Sequence, residues 1–337
     1  MTLLVVTDPR FLDHDTGAGH PERPKRLRAV DAGIAAAGLG DAITQVRAEP
    51  APRAAVEAVH PAELVDALER FCAAGGGAID ADTRVGPSSF EVAMLAAGSG
   101  LELVRRLDAG EGTVGFCAVR PPGHHATATR CMGFCMFNNV AVTAAALADR
   151  GERVAIVDYD AHHGNGTQDI FYEDPRVLYV SLHEWPLYPG TGALDEVGAG
   201  AGAGTTLNVP LPAGTAGDVY RRALDELVIP AIERFAPTWL LLSAGYDAHR
   251  ADPLTGLALS SGDFADLTQR LVAVVPPGRR LLFLEGGYDL EGLRDSVAAS
   301  LAATVGVDLR PEPATGGDIG ADRLAAVLNF HRSDADG

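Results

Sequence analysis

An α/β fold with a parallel sheet covered by helices on both faces is what this sequence predicts, and three observations carry it. Short runs of Val, Ile and Leu recur without the polar alternation of a half-exposed strand. Segments with helical spacing of apolar residues separate these runs. Five of the runs pass directly into clusters of Asp, His, Glu or Gly at their carboxyl ends. Continuously apolar strands that alternate with helices belong in parallel sheets buried on both faces. In such sheets, sites are built in the crevice beyond the carboxyl ends of the strands.

The elements follow in chain order. A first strand is expected over 2–7. Leu27, Val30 and Ile34 mark a helix with Pro24 near its start, where a missing N–H costs nothing. Val92, Leu95, Leu103 and Leu107 mark a second helix that begins near Pro87. Further strands are expected over 112–119, 153–159, 176–182, 238–244 and 280–285, and further helices over 138–149, 216–235, 262–274 and 290–304. GAGAGAGTT (198–206) reads as a loop. DLRPEPATGGD (308–318) reads as a Pro/Gly linker between a single domain over 1–307 and a last helix and tail over 319–337. No internal repeat is present.

The chain of 337 residues carries 27 basic and 45 acidic residues, a net charge of −18. That balance argues against nucleic acid as a direct partner, because phosphate binding needs a basic surface. Solubility accounts for most of it. No run of about eighteen apolar residues occurs, so no membrane partner is expected. The N-terminal MTLLVVTDPRF has no basic region and too short an apolar run for a signal peptide, so a cytoplasmic location is expected. Cys72, Cys117, Cys131 and Cys135 are too few for a disulfide framework and read as reduced thiols.

The polar clusters are RPPGHHA (120–126), DYDAHHGNG (158–166), SLHEW (181–185), AGYDAH (244–249) and EGGYD (285–289). Asp160 and His162 are two apart, so on an extended strand end they point to one side. Asp247, from another strand end, completes a three-ligand set; two carboxylates and one imidazole suit zinc or iron(II) with a position left for water. Such an ion lowers the pKa of water from about 15.7 toward about 7. The proton then needs a base, and the tandem His124–His125 supplies imidazoles that titrate in the right range. Asp158 is available to orient one of them. Tyr288, after the Gly286–Gly287 turn, could donate a hydrogen bond to a polarised carbonyl oxygen. These parts describe metal-assisted hydrolysis of an amide. No phosphate-binding Gly-rich motif and no GxSxG nucleophile elbow is present.

These segments, with HPERPKRL (20–27), GFCMFNNVAV (133–142), SAGYDAHRADPLTGL (243–257) and LEGGYDL (284–290), resemble the zinc-dependent histone deacetylases, a family that includes acetylpolyamine amidohydrolases and acetoin-utilisation proteins. The resemblance runs in order from about residue 14 to about residue 305. It implies a single-domain, arginase-like fold with a central eight-stranded parallel sheet. It implies that the chain removes acetyl or other acyl groups from acetylated lysine in protein or peptide, or, alternatively, from an acetylated small amine. It implies one Zn2+ on Asp160, His162 and Asp247, with Fe2+ as the alternative metal. His125 would be the general base, His124 its electrostatic partner held by Asp158, and Tyr288 the group that polarises the acyl carbonyl. Gly133, Phe134, Tyr188, Leu254 and Gly286 would contact the substrate. A structural K+ would lie on the backbone of Asp158, Asp160, His162 and Leu182 with the Ser181 hydroxyl, and Arg26 would sit in an internal channel behind the metal. Asn165, with LEGGY in place of GGGGY, resembles class II. Tyr188 stands for the commoner tunnel phenylalanine, and Leu254 occupies a place where polyamine-specific relatives carry a glutamate.

Overall fold

The structure, a computed structural model, describes residues 1–335. Among these the strands are β1 (Leu3–Val6), β2 (Ile43–Val46), β3 (Gly77–Ala78), β4 (Arg84–Val85), β5 (Val114–Cys117), β6 (Val154–Asp158), β7 (Val177–Glu184), β8 (Thr206–Leu211), β9 (Trp239–Ala244) and β10 (Arg280–Leu284). The helices are α1 (Lys25–Ala36), α2 (Arg53–Glu57), α3 (Ala62–Ala73), α4 (Ser89–Asp108), α5 (Asn139–Asp149), α6 (Asn165–Phe171), α7 (Gly217–Ala223), α8 (Ile229–Phe235), α9 (Ser261–Val272), α10 (Leu290–Thr304) and α11 (Ala321–Ala335).

Eight strands form one sheet in the order β2-β1-β5-β10-β9-β6-β7-β8. Every pair in it is parallel. Helices α1, α9 and α10 pack side by side, and α4 packs on α5. The α/β architecture predicted from the sequence is therefore the one observed. The six inner strands are buried along their whole lengths, which suits their predominantly apolar runs.

The residue pattern gave no indication of the two edge strands. Thr44 and Gln45 face solvent in β2, so its apolar run is broken. In β8, Asn208 and Pro210 interrupt the run, and proline is tolerated because an edge strand leaves donors unpaired. The stretch 198–206 is irregular, as expected, until its last residue opens β8. The helix expected over 216–235 is α7 and α8 joined by a π-helical turn at Leu224–Val228. The helices α2, α3 and α6 and the β3–β4 hairpin were not foreseen.

The five strands whose carboxyl ends carry polar residues are neighbours: β5, β10, β9, β6 and β7. The chain places β10 and β9 between β5 and β6, so loops from distant parts of the sequence meet over one stretch of sheet edge. Residues 308–318 have no helix or strand, yet they are bonded to the domain. Glu312 accepts from Arg250 Nη2 at 2.6 Å and from the Ser261 N–H at 3.0 Å, and its Oε2 lies 2.7 Å from His249 Nε2. Beyond it α11 packs on β8. Among the described residues no helix is long and apolar enough to cross a membrane.

Candidate active site

The turn after β6 turns two carboxylates inward. Asp158, the last residue of β6, accepts from the Asp160 N–H through Oδ1 at 3.1 Å. Asp160 in turn accepts from the His162 N–H at 2.9 Å and from the Gly286 N–H at 2.8 Å. Asp247, from the loop after β9, accepts from the Ala161 N–H at 2.8 Å. His162 Nδ1 lies 3.2 Å from Asp160 Oδ1 and 3.0 Å from Asp247 Oδ2. One ligand atom from each of the three falls within 4.8 Å of the others, and this is the one such group found among the described residues.

Glycine makes this packing possible. A Cβ on Gly286 would come within 2.1 Å of Asp247 Oδ2, and one on Gly245 within 2.0 Å of Asp160 Oδ2. Gly286 thus lies against the carboxylates rather than on a cavity wall. Among the described residues no lysine or arginine pairs with Asp160 or Asp247. Burial and the adjacent Asp160 charge push the Asp247 carboxyl up from its ordinary value. Burial opposes a charge on His162 too, and Asp247 and Asp160 overcome it, holding the imidazole well above its ordinary value. Two fully buried carboxylates facing one imidazole make an oxygen-rich donor set with surplus negative charge, which a divalent cation fits.

The tandem histidines follow β5. The two rings are 4.0 Å apart between centroids, yet their partners differ. His124 Nδ1 lies 3.0 Å from Asp158 Oδ2, while His125 Nδ1 lies 2.9 Å from the Asn165 side-chain oxygen. Both partner atoms are acceptors, so each Nδ1 carries a proton, and on the neutral His125 ring Nε2 is left as the free nitrogen. Burial opposes a charge on His124, but Asp160 and Asp158 outweigh it and lift the ring to about 10. Burial, reinforced by repulsion from His124 and His162, holds His125 well below its ordinary value. One imidazole is a cation and its neighbour a neutral base.

A cavity of about 220 Å³ opens over this floor, lined by His125, His162, Phe134, Tyr188, Leu254 and Tyr288 together with Asp82, Gly133 and Leu187. Gly133 and Phe134 both have positive φ, 56° and 68°. At Gly133 this brings the backbone against the His125 ring, where a Cβ would lie 2.5 Å from Cδ2. Tyr188 meets the His125 ring at 5.2 Å, edge to face, and Phe134 meets Tyr288 at 5.9 Å. Leu254 and Tyr188 are each 37% exposed, which places them at the rim.

Three supports, Glu285, Asp252 and Glu22, were not legible in the sequence, whereas Arg26 was expected behind the metal site. Glu285 is fully buried, and its Oε2 accepts from the Gly123 N–H at 2.7 Å and the His124 N–H at 3.1 Å, which fixes the tandem-histidine loop. Burial raises that carboxyl to about 7. Asp252 accepts from the Tyr288 N–H at 2.6 Å and the Leu254 N–H at 3.0 Å. Arg26 donates to Gly287 O at 2.7 Å and Glu285 O at 2.5 Å, with its guanidinium 4.9 Å from the centre of the Tyr288 ring. Glu22 and Arg120 complete this support from below. Glu285 lies inside the LEGGYDL motif and Asp252 inside SAGYDAHRADPLTGL, so each was in view, but a bond to a backbone N–H leaves no mark on a sequence.

The histone deacetylase domain describes a family whose sequence pattern matches residues 20–304 of this chain. A probable deacetylase of Archaeoglobus fulgidus is 41% identical over 316 residues, covering 92% of this chain and 88% of its own. A histone deacetylase-like amidohydrolase of Pseudomonas aeruginosa is 39% identical over 277 residues, covering 80% of this chain and 73% of its own. The crystal structure of the HDA15 HD domain aligns with a TM-score of 0.91 at 37% identity, over 98% of this chain and 94% of that one.

Proposed function

The chain belongs to the histone deacetylase family, and from that premise we propose that it removes acetyl or other acyl groups from N-acyl-lysine side chains. The observation that carries the reading is a single cavity that joins a buried two-carboxylate, one-imidazole cluster to a neutral histidine and a phenol.

Asp160, His162 and Asp247 would hold the ion, zinc first and iron(II) as the alternative. When bound it supplies Lewis acidity and lowers the pKa of a water toward about 7. His125 takes the proton of the attacking water at Nε2, because its Nδ1–H is engaged by Asn165. His124 keeps its charge, held by Asp158, and stabilises negative charge that develops in front of it. Tyr288 donates its hydroxyl proton in a hydrogen bond to the acyl carbonyl oxygen; burial keeps the phenol protonated. As the C–N bond breaks, His125 returns its proton to the departing amine nitrogen. Phe134 and Tyr188 flank the stem of the acyl-lysine, and Leu254 meets it at the mouth. A structural potassium ion is proposed on the carbonyls of Asp158, Asp160, His162 and Leu182 with the Ser181 hydroxyl. The register supports this by pairing Asp158 with Ser181 across β6 and β7.

Purified protein should release acetate from an acetyl-lysine peptide, lose that activity to a chelator and regain it with zinc. A panel with acetylated polyamines and longer acyl-lysines sets the substrate class. Metal-replete protein that turns over no acyl-lysine and no acyl-amine would end the proposal.

A further inference from the structure

The helix α3, AELVDALERFCA, has more apolar surface than the core covers. Val65, Leu68 and Cys72 are buried. Leu64, Ala67, Leu68 and Phe71, at helical positions i, i+3, i+4 and i+7, form a second stripe beside them. That stripe is only partly covered: Leu64 is half-buried, Ala67 is exposed, and Phe71 is 37% exposed. The charged side of the helix is satisfied elsewhere, with Asp66 and Glu69 both paired to Arg53. The uncovered stripe forms one wall of a groove of about 490 Å³, and Ile79, Asp80 and Arg130 lie across from it.

This groove adjoins the mouth of the acyl-lysine cavity. Asp80 lines the groove and Asp82 the cavity; Cys131 lines the groove and Gly133 the cavity. Each pair is two residues apart, and consecutive Cα atoms are 3.8 Å apart, so the backbone positions of each pair lie within about 7 Å of each other. Of the six large apolar side chains that are exposed, Phe71 is in the groove and Tyr188 and Leu254 are on the cavity. Among the described residues, three of these six therefore line either the groove or the neighbouring cavity, and exposed apolar surface at such sites marks a place of contact.

We propose that the groove is a docking site for an apolar side chain of the polypeptide that carries the acyl-lysine. This rests on reading the cavity as the acyl-lysine site. An extended peptide advances about 3.3 Å per residue, so a docked residue within a few positions of the acyl-lysine reaches the groove. The ammonium groups of a free polyamine suit the groove less well than an apolar side chain, because most of its lining, Leu64, Leu68, Phe71 and Ile79 among it, is apolar and Arg130 repels them. Asp80, the one acid in the lining, is held by the N–H groups of Asp82 and Thr83 on its Oδ1.

The test uses the purified full chain and acetyl-lysine peptides of otherwise Gly/Ser sequence, with Leu, Ser or Lys placed in turn at each position within four residues of the acetyl-lysine. Leu should raise kcat/KM about tenfold over Ser at one position, through KM, and Lys there should give no gain. Tenfold is about 1.4 kcal/mol, which burial of one aliphatic side chain readily supplies. Phe71→Ser and Ile79→Ser should each erase the gain, Phe71→Leu should keep it, and all three should turn over flankless N-acetyl-lysine amide as the parent does. Equal rates at every position, or a Leu preference that survives both serine variants, would overturn the docking site. So would an acetylated diamine that outperforms every peptide. If N-acetyl-lysine amide itself is inert, the deacetylase reading has failed instead. Fluorescence anisotropy of the labelled Leu and Ser peptides then still reports whether the groove binds.

Discussion

Two fully buried clusters of ionisable side chains lie side by side in this domain and settle their charge in opposite ways. In the first, Glu22 accepts from Arg120 at 2.5 and 2.7 Å and from Arg26 at 3.2 Å. Burial alone would raise the Glu22 carboxyl, but the charge and hydrogen bonds of Arg120 outweigh it and hold the group down at about 2. Two guanidinium groups face one carboxylate, and the cluster needs nothing from outside. In the second, Asp160 and Asp247 face His162 with no arginine or lysine paired to either. The first cluster is a strut: through Arg26 it holds the turn that carries Tyr288. The second is a socket. Burial is the same in both; what separates structure from chemistry is whether the countercharge is a permanent guanidinium or an imidazole that can give up its proton to a cation.

Isosteric neutralisation of one carboxylate in each cluster should break the protein in two different ways. Asp247→Asn should abolish activity, with bound metal falling from about one per chain to under about a tenth. The metal-free variant should melt no earlier than the metal-free parent, because a repelling charge has gone. Full metal occupancy in this variant, measured by elemental analysis, would remove Asp247 from the ligand set. Glu22→Gln should leave two buried guanidinium groups short of a counterion and cost about 3–5 kcal/mol of stability, read from urea unfolding. The sign of its pH dependence follows from the lowered pKa. Glu22 contributes stability that is complete above its ordinary value of 4.5 and is lost as the pH falls toward about 2. The variant should lack that slope. If Glu22→Gln is as stable as the parent, the strut is not one.

Tyr288→Phe probes the contact between the two clusters. Removing a single donor to a developing oxyanion costs about 2.7–4 kcal/mol, a loss of about 10² to 10³ in kcat. Metal content and melting temperature should stay at parental values, since Arg26 grips the backbone of the turn and the ring face rather than the hydroxyl. Unchanged turnover would refute the carbonyl-polarising role.

The same contrast explains what the sequence made legible. Six inner strands stood out because burial on both faces suits predominantly apolar runs; Gln45 in β2 and Asn208 and Pro210 in β8 broke that pattern at the edges. Helix α3 has an apolar spacing from Leu64 to Cys72 but no flanking strand run to frame it, and the β3–β4 hairpin, two residues per strand, offers no period to read. Among functional groups, Asp160, His162, Asp247, His124, His125 and Tyr288 were visible because each lies at the end of an apolar strand in a recognisable motif. Glu22, Glu285 and Asp252 were not singled out, because they act through guanidinium groups and backbone N–H groups brought near only by the fold. The socket is written in residue types, whereas the strut is written in contacts.

The smallest expected effect is the finest test of countercharge, and it lies within one loop. His124 and His125 are adjacent, equally buried imidazoles; a carboxylate holds one and an amide the other. His124 is lifted to about 10 and His125 is held well below its ordinary value. Asn165→Asp gives His125 the same kind of partner that His124 has, and an adjacent negative charge favours the imidazolium by about one unit or more. A general base works only when unprotonated, so the rising, low-pH limb of kcat/KM should move to higher pH by the same amount. Activity should fall at the acidic end and hold on the alkaline plateau, with metal content unchanged. An unmoved limb would mean that position 165 does not set the basicity of His125, and that the contrast between the two rings comes from His124 and His162 alone.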